Sequence, residues 1–278
     1  AAHFGRRRGY GIAMFSPSPL LRRATVALAL GLTAVQSSRA QGPATEEGRP
    51  ASARLPFRPG ELLEYEVKFG FVPVGSGSME VAGMEDVRGQ PSMHVVFKVR
   101  GGTFVYRVND RMESWFDPET FESRRFWQDI AEGSYKRRRR FEIFADRQRF
   151  QQDEKDEEPS VSDPLDDASF LYFVRTIPLE IGKTYEFPRY FQPESNPVRI
   201  RVLRRERVDV PAGKFDAIVI QPLIKSKGVF NEKSEALIWL SDDSTRTMLQ
   251  MKSRLVIGSL SLHLKKVRRG GTVADSAP

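Results

Sequence analysis

Few side chains in this sequence stand at spacings that do chemistry. Asp242 and Asp243 are adjacent carboxylates. Adjacent residues on a strand point to opposite faces, so the pair cannot serve as the two carboxylates of a hydrolase and reads as a turn cap. Beyond residue 40 the only histidines are His94 and His263, each on the polar side of a strand pattern. Neither has a sequence neighbour at ligand spacing, so both are expected on the solvated surface with no metal. Glu64 and Glu66 share a face, which alternation turns to water. Gly75 and Gly77 have no following Lys-Ser or Lys-Thr and no helix pattern, so they read as structural glycines at a bulge or tight corner rather than a phosphate cradle. No Gly-x-Ser-x-Gly elbow or dinucleotide fingerprint occurs, and no cofactor is implied. The chain has no cysteine, which removes disulfides, thiolate catalysis and cysteine-bound metal.

One charged run invites a partner. Lys136, Arg137, Arg138, Arg139 and Arg140 are consecutive cations, followed by the acid-rich run Asp153 to Glu158. On a strand these cations alternate faces, and their long stems cover apolar surface while the heads stay wet. A solvated strand neutralised by the acidic run is the first reading, and contact with an anionic membrane surface is the second. Nucleic acid is not expected. The formal charge of +8 over 278 residues is mostly local. Six arginines and no acid fall in residues 1–40, which leaves 38 basic against 36 acidic side chains in the rest.

The elements that must carry these residues are mostly strands. Leu63, Tyr65, Val67, Phe69 and Phe71 alternate with polar or small residues. Met93, Val95, Phe97 and Val99 do the same after Arg88-Gly89-Gln90, and Phe104, Tyr106 and Val108 after Gly101-Gly102. Val198, Ile200 and Val202, then residues 216–223 after Pro211-Ala212-Gly213, continue the pattern. The stretch Glu235 to Leu264 reads as strand, turn at Ser241-Asp242-Asp243-Ser244, strand, break and strand. Its strands are expected to close one edge of the sheet. Links of hairpin length imply an antiparallel meander.

One helix is expected over about 164–177, with Asp163 as N-cap, Pro164 in the first turn and Pro178 as its stop. Its apolar arc, including Phe170, Tyr172 and Phe173, is wide enough to require cover on several sides. Arg175 interrupts that arc and needs a carboxylate or carbonyl partner. The fold class expected is all-β: a strongly curved antiparallel sheet forming an open or closed barrel, with this helix over its concave face.

Residues 1–40 have the layout of a secretory signal peptide and an upstream leader. Arg22-Arg23 precede the apolar run Ala24 to Val35, and Ser38-Arg39-Ala40 is a small-residue cleavage site. Residues 41–57 read as a flexible leader, 58–267 as one β-rich domain and 268–278 as a disordered tail. No cysteine follows the apolar run, so no lipid anchor is expected, and the periplasm is the expected compartment.

Four passages carry a family resemblance. They are Tyr65-Glu66-Val67-Lys68-Phe69-Gly70 with Val74-Gly75 and Gly77; Ser169 to Arg175; Val210 to Phe215; and Ile238 to Asp243 with Gly258-Ser259. In order and spacing they resemble the bacterial family of domain of unknown function 3108. The resemblance implies an exported, mostly β protein with no established activity. It also implies a fold similar to the open barrel of periplasmic lipoprotein carriers and receptors. On that analogy the expected function is non-enzymatic binding of a lipid, a lipidated ligand or another apolar ligand in the concave face. Its lining would be Phe170, Tyr172, Phe173, Arg175, Trp239, Leu260, Leu262 and Leu264. The alternative is a structural or protein-interaction component of the cell envelope with a fully packed core. An enzyme is the least expected.

Overall fold

The computed structural model describes residues 55–102, 107–224, 236–254 and 259–270. The signal segment, most of the leader, Phe104, Tyr106, Gly258 and most of the tail lie outside them.

The described strands are β1 (Leu62–Phe69), β2 (Val72–Val87), β3 (Gln90–Gly102), β4 (Arg107–Phe116), β5 (Ser123–Glu132), β6 (Tyr135–Phe144), β7 (Arg149–Gln152) and β8 (Glu157–Pro159). One α-helix among the described residues, α1 (Asp167–Phe173), interrupts the run. There follow β9 (Thr184–Phe187), β10 (Val198–Val210), β11 (Gly213–Leu223), β12 (Leu237–Ser241), β13 (Met248–Arg254) and β14 (Ser259–Arg268). Every pairing between them is antiparallel, as the short links require.

The order is β8-β7-β6-β5-β4-β3-β2-β1-β14-β13-β12-β11-β10-β9. Two meanders are therefore joined where β1 pairs with β14, Tyr65 opposite Leu264 and Val67 opposite Leu262. This corrects the expected edge position of the last strands, because β14 stands in the middle of the sheet. It also corrects the strongly curved barrel, open or closed: the strands form one open sheet that does not curl into a barrel. The order is open, with β8 and β9 at its two ends. Both edge strands are short and run into proline, at Pro159 and Pro188. Proline has no N–H to extend a ladder, and Glu157 and Glu158 on β8 discourage a further strand.

Strand periodicity sets the two faces. On β1, Leu63, Tyr65 and Val67 are buried while Glu64 and Glu66 are partly exposed. The alternation ends earlier than expected, since Phe71 lies in the β1–β2 turn and is 99% exposed. Gly75 and Gly101 explain the close approach of β2 and β3. A Cβ on Gly75 would stand 2.1 Å from the Arg100 carbonyl oxygen, and one on Gly101 would stand 2.4 Å from that of Val74. Gly75 is a structural glycine, as expected, and Gly77 is another, since a Cβ there would stand 3.2 Å from the Lys98 carbonyl oxygen.

The inner faces of both meanders, α1 and the chain around it share one apolar core. Phe126, Phe141, Phe150 and Phe191 meet in one aromatic group, and Phe57, Phe116, Phe121 and Tyr172 in another.

The helix is shorter than expected. Its N-cap is Asp166 rather than Asp163, and Leu165 instead bridges to Tyr190. Leu165 N donates to Arg189 O, and Phe191 N donates to Leu165 O. A tertiary backbone pairing thus claims the residues that local preference would place in the first turn.

Candidate functional site

Three polar clusters interrupt the apolar packing. The first surrounds Arg175, just past the end of α1. Its side chain is fully buried, and Glu61 at the start of β1 supplies the carboxylate. Nη1 donates to Glu61 Oε1 at 2.6 Å and Nη2 to Oε2 at 3.2 Å. Nη2 also donates to the carbonyls of Pro56 and Thr245, and Nε to that of Thr245. The Phe57 ring lies 5.0 Å from the guanidinium carbon. The requirement for a carboxylate or carbonyl is met by both, and Arg175 anchors three separate segments.

Beside it, Tyr65 donates its hydroxyl to Met248 O at 3.0 Å. Burial pushes that phenol well above its ordinary range, against the opposing pull of the Arg175 charge. Tyr172 is equally buried and likewise pushed up by burial. Its hydroxyl has no hydrogen-bond partner among the described residues.

The second cluster is the N-terminus of α1. Asp166 Oδ1 accepts from the Ala168 and Ser169 N–H groups at 2.8 and 2.9 Å. Oδ2 accepts from the Ser114 hydroxyl at 2.6 Å, and Ser169 Oγ accepts from Asp166 N at 2.9 Å, closing a capping box. Ser123 Oγ lies 2.9 Å from Ser169 Oγ. Asp167 accepts from the Tyr190 hydroxyl at 3.1 Å and the Gln128 amide at 3.2 Å. Burial raises both carboxyls to about 6, against the opposing hydrogen bonds. Raised carboxyls also occur at active sites. Here the contacts are those of a helix cap and its supports, so the geometry accounts for the cluster structurally.

The third cluster corrects an expectation. His94 is buried, not solvated. Its Nδ1 lies 2.9 Å from Glu85 Oε1, and its Nε2 lies 3.1 Å from Glu113 Oε2. The ring stacks on Trp115 with centroids 4.2 Å apart, and the Trp115 indole donates to Glu85 Oε2 at 2.7 Å. Arg111 grips both oxygens of Glu113 at 2.7 Å. The Trp115 hydrogen bond is the main cause holding Glu85 below its ordinary range. Burial pushes Glu113 up, but Arg111 and His94 together bring it below that range. These partners come from β2 and β4, so no sequence spacing announces them. Among the described residues no group of carboxylates and histidines has the arrangement of a metal site.

The basic run divides between faces as expected, but its neutralisation differs. Arg138 Nε lies 3.2 Å and Arg140 Nη2 2.9 Å from Asp129 Oδ1, on the neighbouring strand. Arg140 also lies over Trp127. The acidic run reaches Arg140 only through Asp153, which accepts from the Arg140 backbone N–H; Glu157 faces Arg147 and Arg149 instead.

Asp242 and Asp243 are a turn, as the sequence indicates. Asp243 Oδ1 accepts from Thr245 N at 2.8 Å, Thr245 Oγ1 at 2.7 Å and Ser241 Oγ at 2.8 Å. Asp242 pairs with Arg205 and Arg246.

The expected ligand-lining residues do not all lie on one face of the sheet. Phe170, Tyr172, Phe173, Leu262 and Leu264 are buried in the core, and Leu260 is half-buried opposite Phe69. Trp239 pairs with Gln250, which pairs with His263 opposite Glu66, so it lies on the other face of the sheet. Its indole donates to Glu206. The expected lipid site in a concave face is thus corrected: the sheet is open rather than concave, and its inner face is covered by packed aromatic side chains and the Arg175–Glu61 pair.

Comparison with curated proteins returned no match. Among solved structures, the fold is similar to a β-barrel-like protein of domain of unknown function DUF1849 from Brucella abortus. That match has 8% identity and a TM-score of 0.51, covering 77% of this chain and 99% of that one. A candidate lipoprotein from Parabacteroides distasonis matches with 9% identity and a TM-score of 0.35, covering 77% of this chain and 98% of that one. A candidate exported protein with a YmcC-like fold from Bacteroides fragilis matches with 11% identity and a TM-score of 0.29, over the same shares. Residues 64–265 match the model of the protein family of unknown function DUF3108, and the chain belongs to that family.

Proposed function

We propose that this protein is a non-catalytic structural or interaction component of the bacterial cell envelope, exported to the periplasm. The observation that carries the reading is the filled interior. Side chains suited to line an apolar pocket instead pack on one another, and a buried ion pair locks the helix end to β1. A carrier needs a space of several hundred cubic ångströms for an acyl chain. Export is supported by the basic, apolar and small-residue order of residues 1–40.

Native mass spectrometry of protein purified from an envelope fraction tests this. The expected result is bare polypeptide beginning at Gln41, and added fatty acid or phospholipid leaves the mass unchanged. A stoichiometric acyl adduct overturns the packed-interior reading. A retained residue 1–40 segment in the cytosolic fraction overturns the location.

A further inference from the structure

Of the six large apolar side chains exposed among the described residues, three fall within four residues of one hairpin tip. Phe69 is 40%, Phe71 99% and Val72 62% exposed. The tip is held, with Gly70 at φ 59° and its N–H donating to Ser259 O at 2.9 Å. No acid occurs between residues 67 and 79.

Strand direction brings cations to the same end of the sheet. Gly75, near the tip, pairs with Gly101, and Gly101 pairs with Val108. This places Arg100 and Arg107 at the same end. Gly133 N donates to Arg107 O at 2.7 Å, which brings the β5–β6 turn and the first cations of β6 alongside. Arg100, Arg107, Lys136 and Arg138 are exposed. Arg107 and Lys136 form no ion pair among the described residues, and Arg100 Nε donates to the neutral Asn109 amide at 3.0 Å. Among the described residues, the acids on β1, β4 and β5 at this end are engaged or covered. Glu66 pairs with Lys68, Asp129 with Arg138 and Arg140, Asp110 accepts from Ala131 N, and Glu132 is buried.

We propose that this end of the sheet docks on an anionic lipid surface. Phe71 and Val72 enter the boundary between headgroups and acyl chains, and Arg100, Arg107 and Lys136 meet the phosphates. Apolar tips rimmed by cations bind interfaces through both terms together, and contiguous exposed apolar side chains mark contact sites. The proposal rests on the envelope reading above. It concerns a surface contact and leaves the interior filled.

The test is co-sedimentation of the protein, without residues 1–40, with phosphatidylcholine vesicles with and without phosphatidylglycerol. Binding is expected only with the anionic lipid and is expected to weaken in high salt. Phe71→Ser is expected to weaken it on the order of tenfold. Arg107→Gln and Lys136→Gln are expected to weaken it about fivefold each. Unchanged thermal unfolding of all three variants separates lost contact from lost fold. Absence of binding to anionic vesicles overturns the proposal. So does a Phe71→Ser variant that binds vesicles normally but loses cross-linking to an envelope protein, which makes the tip a protein contact. Neither result alters the packed-interior reading, which the mass measurement tests separately.

Discussion

The Arg175 guanidinium and the Glu61 carboxylate, 114 positions apart, face each other through two hydrogen bonds of 2.6 and 3.2 Å in a site closed to solvent. The pair joins the end of α1 to the start of β1, and the Thr245 carbonyl adds the β12–β13 turn. Removing one partner leaves a buried charge alone. Arg175→Met is expected to cost about 3–5 kcal/mol in urea unfolding. The double change Arg175→Met with Glu61→Leu is expected to recover most of that loss. A double variant as unstable as the single one would show that the guanidinium contacts to Thr245 and Pro56 dominate instead.

Asp167 makes stability depend on pH. Its folded carboxyl titrates at about 6 because it is buried, against an ordinary value of 3.8. The folded chain therefore holds this proton more tightly than the unfolded chain does. Its contribution to stability is greatest below about pH 4, declines as pH rises towards 6, and stays low above that. Asp167→Asn keeps an acceptor for the Tyr190 hydroxyl and removes the buried charge. The variant is expected to be more stable than the parent at pH 8, by about 3 kcal/mol at most. The two are expected to converge near pH 4. Parallel melting curves across that range would contradict this account of the carboxyl.

Tyr172 carries a buried hydroxyl with no partner among the described residues. A desolvated donor left unmatched costs free energy, whereas the ring beneath it packs well against Phe57 at 4.9 Å. Tyr172→Phe is expected to raise stability by about 1 kcal/mol in chemical denaturation. A loss of stability would mean that the hydroxyl is satisfied in solution.

Gly75 and Gly101 face each other across β2 and β3 with no room for a methyl group. Either glycine changed to alanine meets backbone atoms, not a movable side chain end. Each change is expected to destabilise by about 1–3 kcal/mol, measured by urea midpoint. Gly89→Ala offers the contrast. Nothing lies within 4 Å of its added Cβ, so the cost there comes only from its φ of 78°.

The sequence alone determined what is local in this protein. Period-two burial on β1, the turns at Arg88-Gly89 and Pro211-Ala212-Gly213, and the capping role of Asp243 follow from short-range geometry. A helix among strands was legible from the aromatic run at 170–173, and a partner for Arg175 from the cost of burying a bare charge. The identity of that partner was not. Glu61 follows a turn like any surface acid, and only the pairing of β1 with β14 and the packing of α1 bring it to Arg175.

The tertiary structure decided the rest because backbone ladders carry no address in the residues that make them. β14 could have closed an edge by its pattern, yet it pairs with β1 at the centre. His94 has the spacing of a surface residue, and it is buried because Glu85, Glu113 and Trp115 arrive from neighbouring strands. Asp163 and Pro164 have the chemistry of a helix start, but the Leu165–Tyr190 bridge holds the chain extended and hands the cap to Asp166. Apolar rows are the same in sequence whether they line a pocket or fill a core. The aromatic packing between α1 and the sheet, set by residues far apart in the chain, made this one a core.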